Sequence, residues 1–234
     1  MSQLRNYEDF VAALLDCGFS LGGGNPKGVY SVIPFGWEDQ EKGGVDSPLR
    51  WHTEDPETDP WEFRMRVLQE RSDIAYAKLF FRVSGFITRA WYPAFLAVRR
   101  GGGSFDEAYE AGRLSYAAKR IYQAAAGGPV ALPELKRLAG FEKGEAAAFD
   151  RALTDLQMGL YLTICGQRRR QNQYGAEYGW NCSMLCTTEQ FWGPEVFDEA
   201  AGLDPAEAEA AIRAQISKLN PAAKEAAVKR FVRG

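Results

Sequence analysis

The densest group of side chains that could bind a ligand or take part in a reaction lies between two apolar runs near the middle of the chain. The run that begins at Arg168 reads Arg-Arg-Arg-Gln-Asn-Gln, so three guanidinium groups stand beside three side-chain amides. Guanidinium groups bind phosphate, and amides hydrogen-bond to the edges of bases. The sequence therefore predicts DNA-contacting residues here: Arg168, Arg169, Arg170, Gln171 and Gln173.

A second group of polar side chains surrounds the only histidine, His52. Four carboxylates follow it in one short acidic stretch: Glu54, Asp55, Glu57 and Asp59. Such a stretch can bind a divalent cation or perform general acid–base catalysis. A solvated acidic loop anchored by Trp51 and Trp61 is the favoured interpretation, because no recognised motif surrounds the histidine. Asp59 is expected to cap a helix that starts at Pro60.

Other motifs lead us to expect neither a metal site nor a cofactor. Cys182 and Cys186 would lie about 13 Å apart along a strand, which is too far for one zinc ion. The glycine-rich residues 18–28 lack the spacing of a Walker loop and precede a predicted strand, Val29–Ile33. We therefore expect this segment to be a flexible loop. A single histidine also argues against a histidine-based triad.

The elements that would position the arginine-rich stretch follow the order of a winged helix-turn-helix. Three helices are predicted over Ser115–Ala126, Pro133–Gly140 and Phe149–Leu160 from their caps, stops and apolar spacing. Two strands then flank the polar stretch, at Leu160–Cys165 and Trp180–Cys186, so that the arginines lie in a loop, the wing.

In a winged helix the third helix enters the major groove of DNA. Lys143, shortly before these apolar positions, and Arg151 are the basic candidates for that helix, and Gln157 is a further polar candidate. The helix is otherwise acidic, which makes the wing the better surface for a polyanion. Charge supports this interpretation, because residues 113–174 hold ten basic and five acidic side chains. That segment carries +5, while the rest of the chain carries −8, so the predicted double-stranded DNA partner would meet the basic part of an acidic protein.

The predicted fold class is α+β, with a winged-helix domain at residues 104–193 between two flanking parts. Residues 1–103 contain a helix ending near Cys17, strands near Ile74–Val83 and Gly85–Thr88, and a helix near Pro93–Arg99. Ser104 and Glu107 form a capping box that opens the central domain. Residues 194–234 are predicted to form two helices, from Asp204 to Leu219 and from Asn220 to Val232. These helices would either clamp the domain or form a homodimer contact.

Composition favours a soluble, reduced protein of the cytoplasm. Apolar residues make up 46% of the chain, yet no apolar run approaches the roughly 20 residues that span a bilayer, and we expect no membrane partner. The polar N-terminus differs from a signal peptide. The four cysteines are few for 234 residues and fall in apolar segments, as reduced thiols would.

Several runs together resemble a known family over about residues 50–190. They are Ile74-Ala-Tyr-Ala-Lys-Leu-Phe-Phe, Phe86-Ile-Thr-Arg-Ala-Trp-Tyr-Pro, Ala117-Ala-Lys-Arg-Ile-Tyr and Leu132-Pro-Glu-Leu-Lys-Arg-Leu-Ala-Gly. They are similar to the AlkZ-related bacterial winged-helix proteins, which are related to DNA glycosylases that unhook alkylated and crosslinked bases. The resemblance implies a winged-helix fold and a DNA partner. Those glycosylases carry a Gln-x-Gln or Gln-x-Asp signature on a barrel strand, whereas Gln171 and Gln173 here fall in the predicted wing.

Three functional hypotheses follow from these observations. The first is a non-catalytic DNA-binding protein that contacts DNA through the third helix and the wing. The second is a DNA glycosylase in which Gln171 and Gln173, or Glu54 or Asp55, orient water at a flipped nucleotide. The third is a protein- or small-ligand-binding module whose pocket is lined by aromatic residues of the N-terminal half: Trp37, Trp51, Trp61, Trp91 and Tyr92.

Overall fold

The computed structural model describes residues 4–171 and 177–234, and in these residues the chain has the predicted α+β class. The strands are β1 Phe19–Leu21, β2 Ile74–Phe80, β3 Val83–Thr88, β4 Val130–Ala131, β5 Leu162–Gln171 and β6 Glu177–Thr187. They form one antiparallel sheet in the order β1-β3-β2-β5-β6-β4. Tyr76 of β2 pairs with Ile164 of β5, so the sheet runs without a break from the N-terminal half into the central region.

Helices cover both ends of this sheet and much of its length. They are α1 Tyr7–Cys17, α2 Trp37–Glu41, α3 Pro60–Glu70, α4 Tyr92–Arg100, α5 Phe105–Glu110, α6 Tyr116–Ala125, α7 Leu132–Leu138, α8 Ala146–Met158, α9 Thr188–Trp192, α10 Glu195–Ala201, α11 Pro205–Leu219 and α12 Glu225–Arg233. None of the helices in the described ranges is both long and apolar enough to cross a membrane.

Side chains cap the starts of α1, α3 and α5, and the two caps that the sequence predicts, at Asp59 and Ser104, are confirmed. Asn6 accepts a hydrogen bond from the N–H of Asp9 at 3.0 Å and thereby caps α1. Ser104 and Glu107 form the predicted capping box of α5. Asp59 caps α3 by accepting from the N–H of Trp61 at 2.8 Å. These short-range hydrogen bonds depend on residues two to three positions apart, so sequence alone is enough to predict them.

Two hydrophobic cores underlie the fold. One is built from α5 to α8 and the strands that follow them, and it contains Phe105, Ile121, Leu156 and Leu185. The other joins the N-terminal half to the C-terminal helices, where Phe80 and Phe231 stack with ring centroids 3.8 Å apart. The apolar faces of α11 and α12 are therefore covered by the chain's own N-terminal half.

Arg99 links these parts from a buried position at the end of α4. Its guanidinium donates to the carbonyl oxygens of Leu79, Met158, Phe231 and Val232 at 2.7–2.9 Å. These carbonyls belong to β2 and to the last turns of α8 and α12, where helix carbonyls lack intrahelical partners. One side chain thus fastens the sheet, the central region and the C-terminal helix together.

The hairpin of β5 and β6 is longer than the sequence predicts. The polar stretch was expected to be a loop, but pairing continues to Gln171 and Glu177, so Arg168, Arg169 and Arg170 lie on strand β5. Backbone hydrogen bonds across the hairpin hold polar residues in a strand as readily as apolar ones when their side chains reach solvent. The prediction of an arginine-rich loop at these three positions is wrong.

Two other predicted elements differ from the structure. Residues 29–33 form no strand, because they make isolated hydrogen bonds to neighbouring segments and no continuous backbone ladder. For example, the Val32 N–H donates to the Ser20 hydroxyl at 2.8 Å. Helix α12 starts at Glu225 instead of following Asn220 directly. The Asn220 side-chain amide instead donates to the carbonyls of Gly28 and Val29, and so ties that loop to the C-terminal helices.

Candidate functional site

A groove of about 990 Å³ opens on one face of the sheet between α3 and α8. Its base includes apolar side chains of three strands: Tyr76 of β2, Ile164 of β5 and Leu185 of β6. The volume falls within the range that proteins use for bound small molecules and nucleotides. Because α3 and α8 belong to different cores, the groove lies where the two cores meet along the continuous sheet.

Four polar side chains of the hairpin line the groove, and we call them the hairpin floor: Gln167, Arg169, Asn181 and Ser183. They occupy every second position on their strands, as side chains on one sheet face must. Arg169 pairs directly with Asn181, and Gln167 with Ser183. A register shift between Ile164 and Gly166 lets β5 present both Ile164 and Gln167 to the same groove. The hairpin floor therefore offers one guanidinium with amide and hydroxyl groups beside it.

The other predicted DNA-contacting residues are distributed more widely. Arg168 points away from the hairpin floor and pairs with Glu134 of α7 at 2.8 Å. The backbones of Arg170 and Gln171 lie in β5, and their side chains fall outside the described part of the structure, as does all of Gln173. Catalytic roles for Gln171 and Gln173 remain a hypothesis from the sequence.

Of the candidates near the third helix, Gln157 lines the groove, whereas Lys143 and Arg151 do not. Lys143 lies in the turn before α8, Arg151 lies on α8, and both are exposed. Gln157 is buried; its amide accepts from the N–H of Lys78 at 3.0 Å and donates to the carbonyl of Leu153. Gln157 thus fastens α8 to β2 at the border of the groove, and a contact between Gln157 and DNA stays a prediction.

The opposite side of the groove is formed by the acidic loop and the start of α3. We call this the loop wall, and it contains His52, Glu54, Trp61 and Glu62. The His52 ring packs against Trp61 with centroids 5.1 Å apart. The rings of Trp37 and Trp51 also lie beside the His52 ring, with centroids 6.2 Å and 6.3 Å from it.

The loop wall keeps a large aromatic surface in contact with solvent. Trp61 is 45% exposed and Trp37 is 46% exposed, which is high for tryptophan in a folded protein. The Arg64 guanidinium lies 3.3 Å from the centroid of Trp61, so this ring already accepts a cation. The other two residues of the predicted aromatic pocket lie elsewhere, since Trp91 packs on Phe19 and Tyr92 is fully buried.

A buried carboxylate, Asp59, holds the loop wall in place. It accepts hydrogen bonds from the backbone N–H groups of His52, Thr53 and Glu54 at 3.1, 2.8 and 3.0 Å, in addition to its cap on Trp61. Asp55 is used within the loop, where the Thr58 hydroxyl and then the Glu57 N–H lower its pKa. Of the acidic residues proposed from the sequence for catalysis, Glu54 alone both lines the groove and has no side-chain partner among the described residues.

Charges in the groove are of both signs. Glu54, Glu62 and Asp150 supply carboxylates, and none of the three has a side-chain hydrogen bond or ion pair within residues 4–171 and 177–234. Arg169, Lys78 and Arg64 supply basic groups that form no ion pair within the same ranges, and Arg64 lies over the Trp61 ring. On its loop-wall side the groove thus combines carboxylates and aromatic rings with the Arg64 guanidinium, and its hairpin floor is basic and rich in amides.

The cysteines lie away from the groove lining and are free thiols. Contact between Cys165 and Cys186 lowers the pKa of Cys165 and raises that of Cys186. Cys182 donates to the carbonyl of Arg168 at 3.3 Å. The described residues contain no group of three His, Cys, Asp or Glu side chains that is arranged to hold a metal ion.

Several groove residues were not singled out from the sequence. Lys78, Asn181 and Ser183 are examples, and Arg64 is another. The alternation of polar residues at 167 and 169 and at 181 and 183 was a signal for one polar strand face. Nothing in the sequence indicated that α3 would lie across from this face, because that contact depends on pairing between β2 and β5.

Taken together, these observations describe an α+β protein with a groove of mixed charge. A family model described as AlkZ related matches residues 4–233. The chain therefore belongs to the AlkZ-related family, which confirms the resemblance found in the sequence. Comparisons with curated proteins and with solved structures found no match.

Proposed function

We propose that this protein binds DNA and excises a positively charged, alkylated base that it takes into the groove. The observation that carries the proposal is the separation of groups across the groove. An aromatic and acidic loop wall suits a cationic base, since ring faces and carboxylates both attract positive charge. Arg169 on the hairpin floor suits a phosphate of the same nucleotide.

Residues 116–187 support a winged helix as the DNA-binding unit. The order α6, β4, α7, α8, β5, β6 follows the pattern expected for that fold, and β4 pairs with the outer side of β6. The core formed by α5 to α8 is consistent with a domain at residues 104–193, flanked by parts at 1–103 and 194–234.

DNA contact through the hairpin has more support than contact through the third helix alone. Arg169 has no described ion-pair partner, whereas Arg168 is engaged by Glu134. The backbone of Arg170 follows on the same strand. Lys143 in the turn before α8 and Arg151 on α8 are both exposed, which is consistent with phosphate contacts there.

Base excision requires that the target nucleotide leave the duplex. The groove volume of about 990 Å³ is sufficient for a nucleotide, and its apolar base at Tyr76, Ile164 and Leu185 would contact the flipped ring. The exposed Trp61 ring of the loop wall would then stack on the base. In this arrangement the duplex stays outside, and the hairpin floor holds the sugar–phosphate side.

Two assays test the proposal. The first is fluorescence anisotropy with a labelled duplex at about 50 mM and about 200 mM salt, where phosphate contacts should make binding weaker at the higher salt. The second is alkali-induced strand cleavage at a single N7-methylguanine, which reports abasic sites. Binding without cleavage would identify a non-catalytic DNA-binding protein, and absence of binding at low salt would refute the proposal altogether.

A further inference from the structure

One buried polar side chain of the groove has no hydrogen-bond partner among the described residues. In that part of the chain, three polar residues of the lining are more than nine-tenths buried: Asp59, Tyr76 and Gln157. Resting on the base-excision function proposed above, we infer that Tyr76 is a specificity-determining residue of the groove. Its hydroxyl hydrogen-bonds to the edge of the base that enters, so the site selects alkylated bases that carry a hydrogen-bonding group on that edge.

The other two buried polar side chains of the lining are engaged by the protein itself. The Asp59 carboxylate accepts from the backbone N–H groups of residues 52 to 54 and of Trp61. The Gln157 amide accepts from the N–H of Lys78 and donates to the carbonyl of Leu153. Because buried polar groups are stable only when they are hydrogen-bonded, these contacts account for the burial of both residues.

Tyr76 differs from these two residues. It is 2% exposed, and its hydroxyl forms no hydrogen bond within the described ranges of the chain. The hydroxyls of Tyr7 and Tyr92 are enclosed by the protein, whereas that of Tyr76 reaches the surface of the groove. Solvent is therefore the partner of this hydroxyl in the free protein, and a polar group of a ligand can take the place of solvent.

Packing and strand pairing fix the position of the Tyr76 ring. Its centroid lies 4.9 Å from that of Phe86, a core residue of β3 that is 1% exposed. On its other side, β2 pairs with β5 at Tyr76 and Ile164. The hydroxyl is therefore held in place before a ligand binds, which reduces the entropy lost when it forms a directional hydrogen bond.

Apolar side chains surround this hydroxyl at the bottom of the groove. Ile164 pairs with Tyr76 and also with Leu185 on the next strand, and Met65 and Leu153 line the same groove. A nucleobase has flat faces that suit such apolar side chains, and it carries its donors and acceptors on its edges. The faces of a bound base would thus contact the apolar side chains, and an edge would meet the Tyr76 hydroxyl.

The hydroxyl makes the groove selective for the edge of the base. It can both donate and accept, so it can bond to an exocyclic amine, a ring nitrogen or a carbonyl oxygen. A base whose entering edge is apolar would remove solvent from the hydroxyl without replacing the lost hydrogen bond, which is unfavourable. This selection is separate from the attraction of positive charge by the loop wall, because it depends on polar groups and not on charge.

The test measures affinity for two duplexes that differ only in the edge of one base. The first carries N7-methylguanine. The second carries N-methylbenzimidazolium, which has the same positive charge and two fused rings but no hydrogen-bonding group on its edge. Both are placed on a 2′-fluoro sugar, because fluorine destabilises positive charge at C1′ and so prevents loss of the base during the titration. The wild-type protein should bind the N7-methylguanine duplex about fivefold more tightly, since a hydrogen bond contributes about this much.

Tyr76→Phe removes the hydroxyl and keeps the ring, so the core contact with Phe86 remains. Fluorescence anisotropy should show about fivefold weaker binding of this variant to the N7-methylguanine duplex and a change of less than about twofold for the N-methylbenzimidazolium duplex. Tyr92→Phe is the matched control, because Tyr92 is a buried tyrosine outside the groove lining. It should keep both affinities within about twofold. Should Tyr76→Phe fail to fold, the preference of the wild-type protein between the two duplexes still decides the inference.

The outcomes distinguish this inference from the proposed function. Unchanged affinity of Tyr76→Phe for the N7-methylguanine duplex would overturn the inference, and so would equal losses for the two duplexes, because the hydroxyl would then not contact the polar edge. A wild-type protein without a preference between the duplexes would overturn it as well. These results leave base excision open to its own alkali assay. If the wild-type protein released no base while Tyr76→Phe lost affinity for the N7-methylguanine duplex alone, the excision function would fall and the Tyr76 contact would stand.

Discussion

The two sides of the groove are built by different means. The hairpin floor results from ordinary strand alternation, which places Arg169 and Asn181 side by side on one sheet face. The loop wall depends on a buried carboxylate that holds His52 and Glu54 in left-handed backbone. We infer from this difference that the floor tolerates substitution as a binding surface, while the loop wall loses its shape when its anchor is removed.

The largest expected effect comes from removing that anchor. Asp59→Ala would leave the N–H groups of residues 52 to 54 and of Trp61 without their acceptor. Unsatisfied buried polar groups cost about 1–3 kcal/mol each. Because water would replace the lost acceptor for some of these N–H groups, the free energy of unfolding should fall by about 4 kcal/mol. Urea denaturation measures this change.

Asp55→Ala is the control for that prediction, because Asp55 is partly exposed and bonds only within its own loop. It should lower the free energy of unfolding by about 1 kcal/mol or less. Equal losses for the two variants would contradict the distinction between the loop wall and the rest of its loop.

On the hairpin floor the expected effect is on DNA affinity instead of stability. Arg169→Ala should weaken duplex binding about tenfold and reduce the slope of log affinity against log salt by about one, because one phosphate contact is lost. Anisotropy titrations at several salt concentrations measure both quantities.

Arg168 provides a matched control for this prediction on the same strand. Since its guanidinium already pairs with Glu134, Arg168→Ala should weaken duplex binding less than Arg169→Ala does. A larger loss for Arg168→Ala would show that the opposite face of the hairpin contacts DNA.

A smaller effect is expected from the aromatic part of the loop wall. Trp61→Ala should reduce the preference for duplex with N7-methylguanine over unmodified duplex about fivefold, because the cation–π attraction amounts to about 1 kcal/mol. Competition binding with the two duplexes measures this ratio. Trp37→Ala is the companion variant, since Trp37 contacts His52 without lining the groove, and it should change the ratio by less than about twofold.

The two sides also differ in how well sequence reasoning predicts them. Arg169 was identified from the arginine run, and the hairpin was expected, although the strands were predicted too short. Asp59 was correctly predicted to cap α3, because a cap depends on residues two positions away. Its hold on residues 52 to 54 was not predicted, since sequence patterns do not encode which N–H groups fold back onto one carboxylate.

The groove itself was beyond prediction for a related reason. It exists because Tyr76 of β2 pairs with Ile164 of β5, which places α3 across from the hairpin. Contacts between residues so distant in sequence leave no local pattern. The same reason explains Gln157, whose helical position suggested a DNA contact, while the fold buries it against the backbone of Lys78.

The measurement that tests the account most directly is abasic-site formation by the wild-type protein on a duplex with one N7-methylguanine, under single-turnover conditions and followed by alkali cleavage. The account predicts strand cleavage at the modified position and none in the unmodified duplex. Absence of cleavage in both duplexes, at protein concentrations that saturate binding, would contradict the claim that this groove excises an alkylated base.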